Sequence, residues 1–297
     1  AEFIGILFKV IDVREAYQKF VLNYFIESYS AGMTPNPCMM CDFKVKFGLF
    51  YDEVRKAFDA PYFATGHYAR IVYNPETDPY IKRQYSVANA RAGKRENKDA
   101  LRAELGLRIK RGVPMIAMVT RLVEDKGLDL VTRIMDELVD DDVQLVLVGT
   151  GDAGYEEAFR ELARRHPTKV SANITFNEAL AHKVYAAADM FLMPSRYEPC
   201  GLSQLIALRY GAIPIVRETG GLKDTVHPFD KYSKQGNGLT FPNFNAHELL
   251  FTTKRAMGYY EDTALWDILV RNAMTSDYSW DRSAEAYQNL YEKVLQQ

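Results

Sequence analysis

Arg121 and Lys126 stand five residues apart, where an apolar strand-like run gives way to a helix-like one. Both cations can converge on one diphosphate, Arg as a planar fork and Lys as a point charge. When a diphosphate leaves, negative charge grows on the departing oxygen, and fixed cations stabilise it best where water is excluded. A charge-assisted contact contributes about 1.5–3 kcal/mol, so losing either cation costs at least about tenfold in rate. On spacing alone, a solvated pair at a helix start is the competing reading. A second group is Ser195-Arg196-Tyr197-Glu198-Pro199-Cys200-Gly201-Leu202-Ser203-Gln204, between the apolar run 190–194 and a helix-like stretch 204–211. Strand, acidic turn, small residues and helix together form an anion-binding arrangement. The N–H groups of Cys200 to Ser203 lack intrahelical partners, and the helix dipole adds roughly half a unit of positive charge there. Glu198 either accepts hydrogen bonds from sugar hydroxyls at the rim or is a turn residue.

Several lesser signals accompany these. Gly149-Thr150-Gly151 ends a strand-like run and can approach a diphosphate. Cys200 reads as a reactive thiol or, preferably, as a small residue that allows close backbone approach. His182 reads as a packed or rim residue, and Gly220-Gly221, with Arg217 nearby, as a tight turn beside a ligand. Cys38 and Cys41 with His67 make at most part of a zinc site; structural zinc takes four ligands, so no metal is expected.

A regular α/β alternation must position these groups. Strands are predicted at 115–120, 144–148, 173–175, 190–193 and 213–216, each a near-continuous apolar run suited to burial on both faces. Helices are predicted at 126–138, 154–165, 178–187, 202–210, 246–259, 263–274 and 281–295. Right-handed crossovers then give a Rossmann-like, doubly wound parallel sheet. Residues 98–297 form this domain, and residues 73–97, with Pro75, Pro79 and Gly93, read as a connecting segment. Residues 1–72 form a smaller α/β fragment: strands at 6–11 and 62–65, helices at 13–29 and about 43–58. Such a fragment is marginal alone. Residues 281–295 are expected to cover it, or the fragment to add strands to an open sheet edge; in either case an apolar face left uncovered favours a homodimer.

The chain has 297 residues, 47% hydrophobic and 26% charged, with a net charge of -2. That balance gives no electrostatic reason to expect nucleic acid. No apolar run suggests a transmembrane helix, and no signal peptide is read; the sequence opens inside what reads as a helix-to-strand connection. Three cysteines argue against a disulfide framework and for a reducing, cytoplasmic setting.

From about Asn74 onward the chain resembles bacterial glycogen and starch synthases. The resemblance rests on the 195–204 run, its continuation through Thr219-Gly220-Gly221-Leu222-Lys223-Asp224, the stretch from Thr120 to Val131, Val148-Gly149-Thr150-Gly151-Asp152 and Ser279-Trp280. It implies the C-terminal half of a GT-B glycosyltransferase that uses ADP-glucose, with no other cofactor, to extend an α-1,4-glucan with retention. It also implies that Arg121, Lys126 and Glu198 are catalytic. Gly149, Thr150, Phe176, Cys200, Gly201, Leu202, Ser203 and Gln204 would contact the donor, with Phe176 against adenine; core packing of Phe176 is the alternative. The synthase family's Lys-x-Gly-Gly-Leu loop and glucan contacts have no match before residue 98. An intact nucleotide site with little or no transfer is therefore expected.

Residues 1–72 resemble a different family, the tRNA 2-thiouridylases, through Thr34-Pro35-Asn36-Pro37-Cys38-Met39-Met40-Cys41-Asp42-Phe43 and Ala64-Thr65-Gly66-His67-Tyr68-Ala69-Arg70. Cys41 matches that family's first catalytic cysteine. The phosphate loop and the second cysteine are not found, so thiolation is not expected. The two resemblances together predict a chimera. Alternatives are a non-catalytic nucleotide-binding protein or a thiouridylase remnant.

Overall fold

Six strands build one wholly parallel sheet in the order β3-β2-β1-β4-β5-β6: β1 Met115–Val119, β2 Gln144–Val148, β3 Val170–Asn173, β4 Met190–Met193, β5 Ile213–Arg217 and β6 Leu239–Phe241. The computed structural model describes residues 11–32, 35, 40–58 and 73–295. The chain divides into two compact units, residues 1–71 and 72–297. In the first, α1 Arg14–Tyr17 continues through a π-helical turn, Gln18–Leu22, into α2 Asn23–Ser30; a π-helical stretch Cys41–Phe50 runs into α3 Tyr51–Phe58. Val21 and Val45 are buried, whereas Phe25 is exposed. The strand expected at 62–65, Cys38 and His67 lie outside the described residues, as does the strand expected at 6–11 except for Ile11, which is in no strand.

The second unit follows the predicted alternation. Its helices are α4 Ala90–Glu104, α5 Leu128–Asp140, α6 Ala153–Arg165, α7 Glu178–Ala187, α8 Ser203–Arg209, α9 Gly220–Thr225, α10 Ala246–Glu261, α11 Thr263–Met274 and α12 Trp280–Leu295. The order steps outward from β1 to β3, then returns to β4 on the other side of β1. Right-handed crossovers consequently place the two sets of helices on opposite faces. The central strands are sealed: Met115 to Met118 and Met190 to Leu192 are at most 1% exposed.

Three elements differ from expectation. β3 starts at Val170 because Val170 to Asn173 pair with Leu145 to Val148; the β-branched Ile174 and Thr175 have already left the sheet. β6, only three residues long, carries too short a pattern to be read. Gly220-Gly221 opens α9 rather than an isolated turn. A Cβ on Gly220 would lie 2.2 Å from the Glu198 carbonyl oxygen, and one on Gly221 2.0 Å from that of Cys200. The close approach that needs glycine is to the chain's own backbone.

Residues 73–97 are an integral wall of the second unit. Asp78, 1% exposed, accepts from the Tyr210 hydroxyl at 2.5 Å and meets His182 Nδ1 at 2.7 Å. The Tyr85 hydroxyl donates to the Tyr210 carbonyl at 2.8 Å. Lys94 donates to the carbonyls of Tyr185, Ala186 and Tyr210 at 3.3, 3.2 and 2.9 Å. These carbonyls belong to the C-terminal ends of α7 and α8, which lack intrahelical donors. Side-chain hydrogen bonds, not apolar periodicity, therefore organise the segment, and it reads as a loop in sequence for that reason.

Burial holds the Lys94 ammonium down from 10.5 to about 7. Below about pH 7 folded and unfolded chains both carry this proton, so the group adds no pH dependence there. Between about pH 7 and 10.5 the unfolded chain keeps a proton that the folded chain has shed, so stability rises with pH. Lys94→Met is expected to abolish that rise and to cost about 1–3 kcal/mol from the carbonyls left unpaired. Urea denaturation of both proteins at pH 7 and pH 9 checks this; equal slopes would contradict it.

Candidate functional site

The strand order reverses between β1 and β4, and a crevice opens at their carboxyl ends, where doubly wound sheets bind ligands. A 210 Å³ pocket lies there, lined by residues that include Arg121, Lys126, Ser195, Glu198, Leu202 and Ser203. Arg121 follows β1 after one intervening residue, Thr120. Lys126 closes a 3-10 turn, Glu124–Lys126, separated from α5 by Gly127, so it stands at the pocket and not on the helix as predicted. Gly127 makes that possible: its φ is +67°, and a Cβ there would sit 2.1 Å from the Pro194 carbonyl oxygen. The turn after β1 thus packs directly on the loop after β4.

Within the pocket, Lys126 Nζ donates to Glu198 Oε2 at 2.6 Å. The Ser195 hydroxyl donates to the same oxygen at 3.2 Å. Both charged side chains are largely shielded, 19% and 11% exposed, so the pair is strengthened by reduced screening. Two residues that sequence reasoning separated by role are therefore direct partners. Ser195 opened the motif without being assigned a part in it; its contact with Glu198 depends on the turn between them.

The loop itself is held from beneath. Gln204 is fully buried, and the two hydrogens of its amide Nε2 are shared among the carbonyls of Cys200 and Gly201 at 3.0 Å each and the Thr225 hydroxyl at 3.2 Å. The Arg217 Nε donates to the Ser195 carbonyl at 2.9 Å, and its Nη2 to that of Arg196. Gln204 and Arg217 thus position the loop from the protein side. Gly201 and Leu202 line the pocket, whereas Cys200 is exposed.

Other predicted residues fall elsewhere. A Cβ on Gly149 would lie 1.8 Å from the Thr120 carbonyl oxygen, so this glycine lets the ends of β1 and β2 approach. Thr150 is exposed, and its carbonyl accepts from Leu122 N–H at 2.9 Å. Phe176 is 94% exposed and outside the core, so the packing alternative for it does not hold. His182 is buried and stacked on Tyr73 with centroids 4.2 Å apart, away from the pocket. In the first unit Cys41 is partly buried and unbridged.

A family model described as glycosyl transferases group 1 matches residues 99–257, more than half of the chain. The chain belongs to this family. Glycogen synthase of Bacillus cereus (strain B4264) is 55% identical over 225 residues, 76% of this chain and 47% of that protein. Glycogen synthase of Geobacillus thermodenitrificans is 52% identical over 75% of this chain and 46% of that protein. Among solved structures, the catalytic domain of Starch Synthase IV from Arabidopsis thaliana, bound to ADP and acarbose, superposes with a TM-score of 0.68 at 36% identity. That match covers 76% of this chain and 47% of the plant domain. The chain thus spans about half the length of the relatives it matches. The sheet is that of a GT-B glycosyltransferase half.

A second family model, tRNA methyl transferase HUP domain, matches residues 1–99. The chain therefore joins parts that resemble two families. The HUP match runs past the unit boundary at 71/72, although residues 73–99 pack into the glycosyltransferase unit through Asp78, Tyr85, Lys94 and Lys98. No helix among the described residues is long and apolar enough to cross a membrane.

Gln204→Leu is expected to lower stability by about 1–3 kcal/mol, since two loop carbonyls lose a buried donor. It should also weaken ligand binding at the pocket, because residues 198–203 lose their anchor. Thermal unfolding and a nucleotide titration read the two effects; a variant as stable as the parent would refute the anchoring role.

Proposed function

We propose that the glycosyltransferase unit binds ADP-glucose, with its diphosphate at Arg121 and Lys126 and its glucose toward Glu198. The observation that carries this reading is the Lys126–Glu198 pair facing Arg121 in the pocket at the sheet's switch point. A diphosphate entering there competes with Glu198 for Lys126. The exchange leaves Lys126 on phosphate oxygen and frees a carboxylate, still held by Ser195, to accept from sugar hydroxyls. Growing negative charge on departing ADP then meets the largely shielded Lys126 and the exposed Arg121 at the pocket's edge. The 210 Å³ pocket suits the diphosphate and part of the sugar. The adenosine would extend outward, where the exposed Phe176 ring and Thr150 are free to meet it.

Identity to glycogen synthases supports glucosyl transfer to an α-1,4-glucan as the reaction in which this unit takes part. Transfer by the 297-residue chain is expected to be weak. Catalysis needs both reactants held in register, and residues 1–97 contain no Lys-x-Gly-Gly-Leu loop. A cytoplasmic setting accords with a nucleotide-sugar donor and three cysteines.

Calorimetric titration tests the assignment. Lys126→Ala should weaken ADP binding at least about tenfold, the loss of one charge-assisted contact. Glu198→Gln should leave ADP binding equal or tighter, because Lys126 loses its competing partner, yet should remove any preference for ADP-glucose over ADP. A parent chain that binds neither nucleotide, or an Glu198→Gln variant that binds ADP more weakly, would overturn the proposal.

A further inference from the structure

A second cavity, of 780 Å³, lies at the opposite end of the sheet from the Lys126–Glu198 pocket. Its walls come from α4, the loop before β1, the residue before β4, and the helices α10 and α11. It is separated from the first pocket by the length of β1 and β4, since one lies beyond Val119 and Met193 and the other before Met115 and Met190.

The cavity is rich in cations beyond what its carboxylates balance. Three of its acids already have partners: Lys98 meets Asp189 at 2.5 Å, Arg102 meets Asp99 at 3.2 Å, and Arg91 meets Asp267 at 2.8 Å. Lys94, Arg95, Arg111 and Arg271 also line it, and among the described residues none of them has a carboxylate within ion-pair distance. Glu261 is the one remaining acid. Three unpaired guanidinium groups, those of Arg95, Arg111 and Arg271, thus face a single carboxylate, with the Lys94 amine behind them already engaged by carbonyls.

The placement of these charges is built into the fold. Arg91, Lys94, Arg95, Lys98 and Arg102 recur at helical spacing along one side of α4. Lys94 is fixed at the back by three carbonyls. Arg95 comes from the same helix one residue on, Arg111 from the loop that precedes β1, and Arg271 from α11. Guanidinium groups from three separate elements around one cavity suit a ligand that can be bonded from several sides, and phosphate oxygens match the guanidinium fork. The volume is that of a small-molecule site.

We propose that this cavity binds a small phosphorylated anion carrying at least two negative charges, held by Arg95, Arg111 and Arg271 over Lys94. The site is independent of the nucleotide assignment above.

The test uses pyrophosphate as probe and the full chain carrying Arg121→Ala and Lys126→Ala, so that the first pocket does not compete. Calorimetry should show one pyrophosphate bound. Adding Arg95→Gln, Arg111→Gln and Arg271→Gln should weaken it at least about tenfold, since each removes a charge-assisted contact. A control that removes three cations elsewhere, Lys82→Gln, Arg133→Gln and Lys231→Gln, should bind as the parent background does. All three arginines are exposed, and circular dichroism verifies folding; the single variants decide the matter if the triple variant does not fold. Ribose 5-phosphate in a parallel titration separates the sources: tighter binding than pyrophosphate assigns an ester ligand, weaker binding a bare inorganic one, and either supports the site. No binding of either probe, or equal loss in the control, would overturn it.

Discussion

Asp189 is the joint on which the sheet turns. Its buried carboxylate Oδ2 accepts from Lys98 Nζ at 2.5 Å and from the Met115 backbone N–H at 2.7 Å. Its own N–H donates to the Met115 carbonyl at 2.8 Å, and its carbonyl accepts from Ile213 N–H at 2.7 Å. One residue therefore ties the starts of β1, β4 and β5 together and fastens α4 beneath them. A carboxylate so deeply placed is tolerable only because a cation and a backbone donor share it. The reversal of strand order occurs between β1 and β4, and the crevice lies at the carboxyl ends of these same two strands.

From that anchor the site follows by packing. β1 and β4 emerge side by side, and the turns that leave them interlock through Gly127 against Pro194. α9 then presses its glycine pair against residues 198–200 from the other side. Gln204 and Arg217 occupy the loop's carbonyls, and Glu198 is left facing Lys126. Gln204, Gly149 and Gly220-Gly221 read in sequence as ligand contacts, yet in the fold they serve the protein's own backbone. Arg121, Lys126, Glu198 and Gly201 to Ser203 line the pocket itself, and Phe176 and Thr150 lie exposed outside it.

The two ends of the sheet are also linked by α8. Ser203 begins it at the pocket, and the Tyr210 carbonyl just beyond its end is capped by Lys94 and Tyr85. A seven-residue helix has few internal hydrogen bonds of its own. Its position is therefore set by what holds its ends, which are Gln204 with the loop on one side and residues from the 73–97 segment on the other.

The sequence by itself determined the alternation of strands and helices, because apolar runs and 3.6-residue periodicity are local properties that need no partner to be seen. It also determined where the cations and the carboxylate of the pocket lie in the chain, since Arg121, Lys126 and Glu198 sit at strand ends that the alternation already marks. Only the tertiary structure decided that Lys126 and Glu198 are mutual partners, that residues 73–97 form a wall, and that seven basic residues converge below the sheet. Those facts arise from contacts between segments far apart in the chain, such as Lys126 with Glu198, Tyr85 with Tyr210 and Arg91 with Asp267. Hydrogen bonds and charges of this kind carry no period along the chain, so nothing in the local pattern announces them.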